Sequence, residues 1–469
     1  MLGQRSLYRI AVEAFLLPVG SDNARGRYHS MNGMNGFTKL KRRCQFSGIV
    51  AVIGSGMAMS PPAFAEGLDM LPFAISGGTP NLDLRIRYEE VEQDGAPNDA
   101  ESFMGRARLG YSTAKWNGLD AQLEFEGLQN FGSDHFNSTG NGEATYPTVA
   151  DPEGDEINQA WIRYTAPFKT SLKYGRQRII LDNARHIGSV GWRQREQTFD
   201  GTLLNSTFIP KTTINIAQLT SALSFREFVV SGKSDVQRDL EALLFNVSYA
   251  HAKWLTVTAY DYRIDYEPVT TPAAPPDTDT LGLRITGTAP IKDFTLAYAI
   301  EYAQQKDYKD SPSTLVDADY GLLELNLTYK GIKGTAGYEL LGANDAATYG
   351  FKTPLATLHA FQGWADAFLN TPNAGMEDLY LGLSGTVAKT TLTAVWHQYG
   401  ADDGSADFGS EINLQATYPL NNNCTLGVKY ADYSADEGLI PGVGPVIAGQ
   451  PVNTIADMSK TWLWLEYKF

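Results

Sequence analysis

The residues best suited to chemistry sit close together. From position 174 the chain reads Tyr174-Gly175-Arg176-Gln177-Arg178-Ile179-Ile180-Leu181-Asp182-Asn183-Ala184-Arg185-His186, and after Val190-Gly191 it continues Trp192-Arg193-Gln194-Arg195-Glu196-Gln197-Thr198-Phe199-Asp200. Five arginines, a histidine and several amides fall within this span. A guanidinium is a rigid fork of donors that matches a carboxylate or phosphate in two-pronged fashion, and Trp192 offers a flat face on which a sugar could stack. The chemistry on offer is recognition of anions. The bland alternative is a loop that clamps neighbouring loops or the phosphates of lipopolysaccharide.

The elements that carry these residues read as strands. Leu82, Leu84, Ile86 and Tyr88 alternate with Asp83, Arg85, Arg87 and Glu89, and Ala107, Leu109 and Tyr111 alternate with Arg106, Arg108 and Ser112. Leu119, Ala121, Leu123 and Phe125 alternate with Asp120, Gln122, Glu124 and Glu126. This is period two with one apolar and one charged face. The same pattern recurs at 155–166, 169–180, 196–209, 211–221, 239–252, 254–266, 279–289, 292–306, 318–330, 332–342, 376–388, 389–400, 409–419, 421–433 and 457–469. About eighteen strands result. Short turns join every second pair, and longer connections fall at 130–154, 181–195, 222–238, 267–278, 343–375 and 434–456. Short turns opposite long loops predict an all-β, transmembrane antiparallel barrel over 79–469, with both termini periplasmic. At this strand number a barrel encloses an aqueous channel.

Within that barrel the alternation places Arg85, Arg87, Arg106, Arg108 and Arg163 on the inner face, with Lys173, Arg284 and Lys429. Glu124, Glu126, Glu301, Glu324, Glu339, Asp378 and Glu411 share that face. One reading is a basic ladder that attracts anions, because charge in a narrow low-dielectric pore focuses the local potential. The other is mutual neutralisation that braces a polar lumen. The last nine residues, Thr461 to Phe469, put Trp462 and Trp464 inside, and their closing Phe469 with Tyr467 resembles the terminal signature read by the barrel-assembly machinery.

Composition and the N-terminus agree with this architecture. No run of about 18 apolar residues is present, so helical membrane spans are excluded. Lys39, Lys41, Arg42 and Arg43 precede an apolar core over 46–59 and the cleavage pattern Ala63-Phe64-Ala65, with Glu66 as the expected mature start. Residues 1–65 therefore read as an N-terminal extension plus cleaved signal peptide, with Met31 or Met34 as the true start, and 66–78 as a short periplasmic lead-in. Cleavage leaves Cys424 as the sole cysteine and 30 basic against 51 acidic side chains, a net of -21. That balance excludes nucleic acid as a partner. The partners expected are the lipid bilayer, lipopolysaccharide and an anionic solute.

The arginine-rich span resembles the alginate export family of outer-membrane proteins. The likeness rests on the Tyr174–Gln177 segment, Leu181-Asp182-Asn183, Val190 to Gln194 and Glu196 to Asp200, with Gly154 to Trp161 before them. The resemblance implies an eighteen-stranded channel for anionic polyuronates or related anions, with basic contacts at Arg176, Arg178, Arg185, Arg193 and Arg195. No cofactor is expected, although the acidic run Asp151-Pro152-Glu153-Gly154-Asp155-Glu156 has oxygen ligands suited to Ca²⁺. The six histidines show no metal-ligand spacing, and no nucleophile elbow or P-loop occurs. No enzyme is expected; the nearest approach to catalysis would be a serine or aspartate paired with His397 on the inner wall. A barrel plugged by its own loops, serving as adhesin or scaffold, is the competing function.

Overall fold

A computed structural model describes residues 71–230, 233–266, 276–309, 316–436 and 456–469. The export signal expected over 1–65, with its candidate starts at Met31 and Met34, lies outside them. A short helix, α1 (Leu71–Ser76), precedes the sheet.

Eighteen strands follow. They are β1 (Thr79–Gln93), β2 (Ala100–Ser112), β3 (Leu119–Asn130), β4 (Gly154–Ala166), β5 (Thr170–Gln177), β6 (Thr198–Ser206), β7 (Thr212–Val230), β8 (Lys233–Ala252) and β9 (Leu255–Tyr266). The second half comprises β10 (Thr278–Ile291), β11 (Phe294–Asp307), β12 (Asp317–Tyr329), β13 (Ile332–Leu341), β14 (Met376–Val387), β15 (Thr390–Gly400), β16 (Asp407–Pro419), β17 (Cys424–Ser434) and β18 (Met458–Lys468). Each strand pairs antiparallel with the next, and β18 closes on β1. Closure removes every sheet edge, as hydrocarbon demands of a spanning backbone.

The closing register aligns Arg85 with Glu466, Arg87 with Trp464 and Glu89 with Trp462. Phe469 finishes the seam: its N–H donates to the Leu82 carbonyl at 2.9 Å and its carbonyl accepts from Leu82 N at 3.1 Å. Both ends of the barrel therefore lie at its short-turn end. The first of those turns is built on Asn117 (φ 49°) and Gly118 (φ 85°). Trp116 and Leu119 exchange two 2.8 Å hydrogen bonds around them, a tight hairpin whose positive φ pair matches strand twist.

Alternation sorts the side chains. Leu109, Phe125, Leu381 and Leu463 are each at least half exposed on the outer surface, a band that bilayer contact would cover. Their neighbours Arg108, Glu124, Glu126, Trp462 and Trp464 are buried inside. The loop-end half of the interior is filled by two apolar clusters. One joins Ile179, Leu181, Ile187 and Leu355 to the wall from β6 to β13; the other joins Phe136, Val149, Ala365 and Phe368 to β1–β3 and β14–β18.

Two expected boundaries change. Of the segment 222–238, read as a loop, residues 222–230 and 233–238 are strand: β7 extends to Val230 and β8 begins at Lys233, with register shifts at Leu219/Ser221 and Leu223/Phe228. Those bulges break the strict alternation by which a strand is recognised. Conversely, β5 ends at Gln177 and β6 begins at Thr198, so 178–197 leaves the sheet. Gln177 terminates the pairing by donating its side-chain amide to the carbonyls of Gly175 and Gly201, at 3.2 Å each.

Candidate functional site in the barrel lumen

The loop 178–197 folds inward, and Arg85, Arg87 and Arg108 of β1 and β2 hold it there. Arg85 donates to the Gln194 side chain at 2.7 Å and to the carbonyl of Arg193, and Arg87 donates to the Trp192 carbonyl at 2.7 Å and to Asp151. Arg108 joins Glu126 and reaches the Gln194 carbonyl at 3.3 Å; Arg106 pairs with Asp83 and lies 3.5 Å from Glu466. Asp151 also accepts from the Gln194 backbone N–H at 2.8 Å. All four arginines are buried. Inward charges here satisfy carbonyls and carboxylates, since an unpaired buried charge is costly.

The loop's own arginines are spent similarly. Arg193 bridges Glu89 (3.1 Å) on β1 and Asp366 (2.5 Å) in the loop 342–375. Arg185 donates to Glu339 at 2.7 Å, Thr353 at 3.0 Å and Gln362 at 3.1 Å. Arg195 is buried 3.8 Å from Glu156. Burial disfavours the Arg193 cation, but Glu89, Asp366 and Asp151 outweigh it and hold the proton more tightly than usual. Trp192 stacks on His359 with centroids 5.0 Å apart and packs edge-on against Trp462 and Trp464. The face expected to meet a sugar is covered by protein.

Water reaches a different set. The side chains of Arg163 on β4 and Arg178 just after β5 are 34% and 33% exposed, which separates them from the arginines above. Arg163 forks onto Asp120, with Nε at 3.0 Å, while Arg178 meets Glu124 at 2.7 Å and Glu196 at 2.5 Å. Lys173 lies over the Trp161 ring at 4.9 Å and makes no ion pair among the described residues. These three form a basic strip on the β4–β5 wall. Arg176 does not join it. It alternates with the exposed Tyr174 on the outer row, paired there with its cross-strand partner Asp200 at 2.9 Å.

On the β8–β12 wall, two adjoining recesses of about 290 and 350 Å³ share Thr256, Arg284 and Thr286. Asp182, Asn183, Ser248 and Thr258 complete the first; Lys253, Thr288, Glu324 and Asn326 contribute to the second. Arg284 is already held by Glu301, so hydroxyls and amides dominate this surface. Sequence reading missed it, although threonines at alternate positions 256, 258, 286 and 288 were the available signal.

The remaining candidates resolve as follows. His397 Nδ1 sits 2.9 Å from Asp378 and its ring stacks at 5.5 Å on Tyr399; among the described residues no serine hydroxyl bonds to it. In the acidic run, Asp151 serves Arg87, Glu153 accepts from Asn130 N at 2.7 Å, and Asp155 is exposed. Among the described residues no group of three or more His, Cys, Asp or Glu is arranged to hold a metal.

The Gram-negative porin family model matches residues 50–438. This chain belongs to that family. It is an outer-membrane β-barrel, and its family is one of channels. Among solved structures, the porin is similar in fold to Acinetobacter baumannii OccAB4 (TM-score 0.62, 15% identity, covering 84% of this chain and 98% of that one). Pseudomonas aeruginosa OccD3 is comparable (0.61, 14%, 84% and 92%), as is P. aeruginosa OpdK crystallised with vanillate (0.60, 12%, 84% and 99%). No curated protein sequence matches the porin. The family shown is thus the porins; kinship with alginate exporters in particular is not among these matches.

Proposed function

We propose that this porin passes hydroxylated organic anions, of the uronate type or related sugar acids, across the outer membrane. The observation that carries the reading is the water-facing strip Arg163, Lys173 and Arg178 on the β4–β5 wall, together with the threonine hydroxyls of the β8–β12 wall. A carboxylate would step along the cations while its hydroxyls exchange hydrogen bonds with Ser248, Thr256 and Thr286. OpdK, similar in fold, is crystallised with vanillate, itself an organic anion. In this reading the short-turn end and both barrel termini face the periplasm, and the exposed Phe469 side chain is the handle for barrel assembly. The loop rim meets lipopolysaccharide.

Liposome swelling tests the reading. Galacturonate should enter several-fold faster than galactose, and the advantage should vanish in Arg163→Gln/Lys173→Gln/Arg178→Gln. Equal rates in the wild type contradict it. The filled loop-end interior favours a second reading, a plugged barrel acting as adhesin or scaffold; single-channel current in planar bilayers excludes that one.

A further inference from the structure

The two inward loops meet the barrel wall at one point of unusual chemistry. Lys429 of β17 projects its ammonium between indoles, 3.9 Å from the Trp192 centroid, 4.0 Å from Trp364 and 5.7 Å from Trp462. Its hydrogen-bond acceptor is the imidazole of His359, Nε2 at 2.9 Å, and the other ring nitrogen, Nδ1, meets Asp366 at 2.8 Å. His359 lies flat on Trp192, interplanar angle 4°. One ring thus links the loop 342–375, the loop 178–197 and the wall.

With Lys429 as the donor, the imidazole is neutral and carries its proton on Nδ1, donating to Asp366 while Nε2 accepts from Lys429. A second proton would occupy Nε2. The acceptor would be lost, and an imidazolium would face an ammonium across 2.9 Å. We propose that His359 is a proton-operated latch: protonation at Nε2 detaches the paired loops from β17 and widens the passage.

The surrounding charges set the direction. Asp366 from the same loop favours the imidazolium; Lys429 from β17 and Arg193 from the loop 178–197 oppose it. Beyond them stand Lys460 of β18, 3.8 Å from Asp366, Glu89 of β1 on Arg193, Arg87 of β1 over Trp192, and Glu411 of β16 on the Trp364 backbone N–H. Burial, reinforced by Lys429 and Arg193, pushes the His359 pKa down to about 3. A released, hydrated histidine titrates near ~6.5. Because the latched value is the lower one, the latch is fully set above pH ~6.5 and weakens by about tenfold per pH unit as pH falls toward ~3.

The test is single-channel recording of the full-length porin in planar bilayers from pH 7.5 to 4.5, with heat-modifiable electrophoretic mobility as the check on folding. Wild type should show conductance or open probability rising several-fold as pH falls. His359→Gln, which carries no titrating group, should flatten that rise, and Lys429→Met, which removes the repelling cation, should shrink it. A wild-type profile without any rise overturns the proposal, as does a folded His359→Gln that keeps the full response. Ion selectivity, read in the same bilayers from the reversal potential, is a separate outcome, so failure of the anion reading would leave the pH result standing.

Discussion

Arginines that face the interior do two different things in this barrel. On β1 and β2, Arg85, Arg87 and Arg108 are buried against loop carbonyls, and Arg106 is buried against Asp83 of the wall. On the β4–β5 side, Arg163 and Arg178 keep a third of their side chains in water, with Lys173 between them. The difference is how completely the surrounding protein closes over the cation. Where closure is complete the cation becomes part of the packing; where it is partial, as at Arg163 beside Asp120 and Arg178 beside Glu124 and Glu196, the ion pair keeps a water-facing side that a solute can meet. An inward-facing charge is therefore evidence of a pore contact only after the loops have been placed.

The comparison breaks most visibly at the buried set. Arg87→Ala strands Asp151 and the Trp192 carbonyl inside the barrel, and removing one partner of a buried pair costs about 3–5 kcal/mol. Denaturant unfolding in detergent micelles should show that loss, with noisier open-channel current from a loosened loop. By contrast, Arg163→Gln should lower stability by less than about 1 kcal/mol, because its pair with Asp120 is partly hydrated. The same substitution should reduce the anion-to-cation permeability ratio measurably.

Salt sharpens the contrast further. The anion preference should fall between 0.1 and 1 M KCl as the Debye length shrinks from ~10 to ~3 Å, while the unfolding midpoint moves little, since buried pairs are poorly screened. Arg176→Ala marks the small end of the scale. Its pair with Asp200 faces outward, so the reversal potential should not change and stability should move by about 1 kcal/mol at most.

Much of this was legible because strand geometry is local. All eighteen strands follow from period-two alternation, as does the inward placement of Trp462 and Trp464. The same rule, counted from Lys173, already put Arg176 outside; the motif around it suggested a pore contact that the parity denies. Arg178 defeats parity in the other direction, since the chain leaves the sheet after Gln177 and turns that side chain toward Glu124 and Glu196. The role of the loops was beyond reach. Arg193 meets Asp366 and Trp192 meets His359 across more than 160 residues of sequence, and such pairings leave no periodic trace. The cage around Lys429 is hidden for the same reason.

The most direct measurement is the reversal potential of the purified porin in a planar bilayer under a tenfold KCl gradient, for wild type and for Arg163→Gln/Lys173→Gln/Arg178→Gln. An anion-selective wild type whose preference collapses in the triple variant is the predicted result. A cation-selective wild type, or a folded triple variant as anion-selective as the wild type, would contradict it.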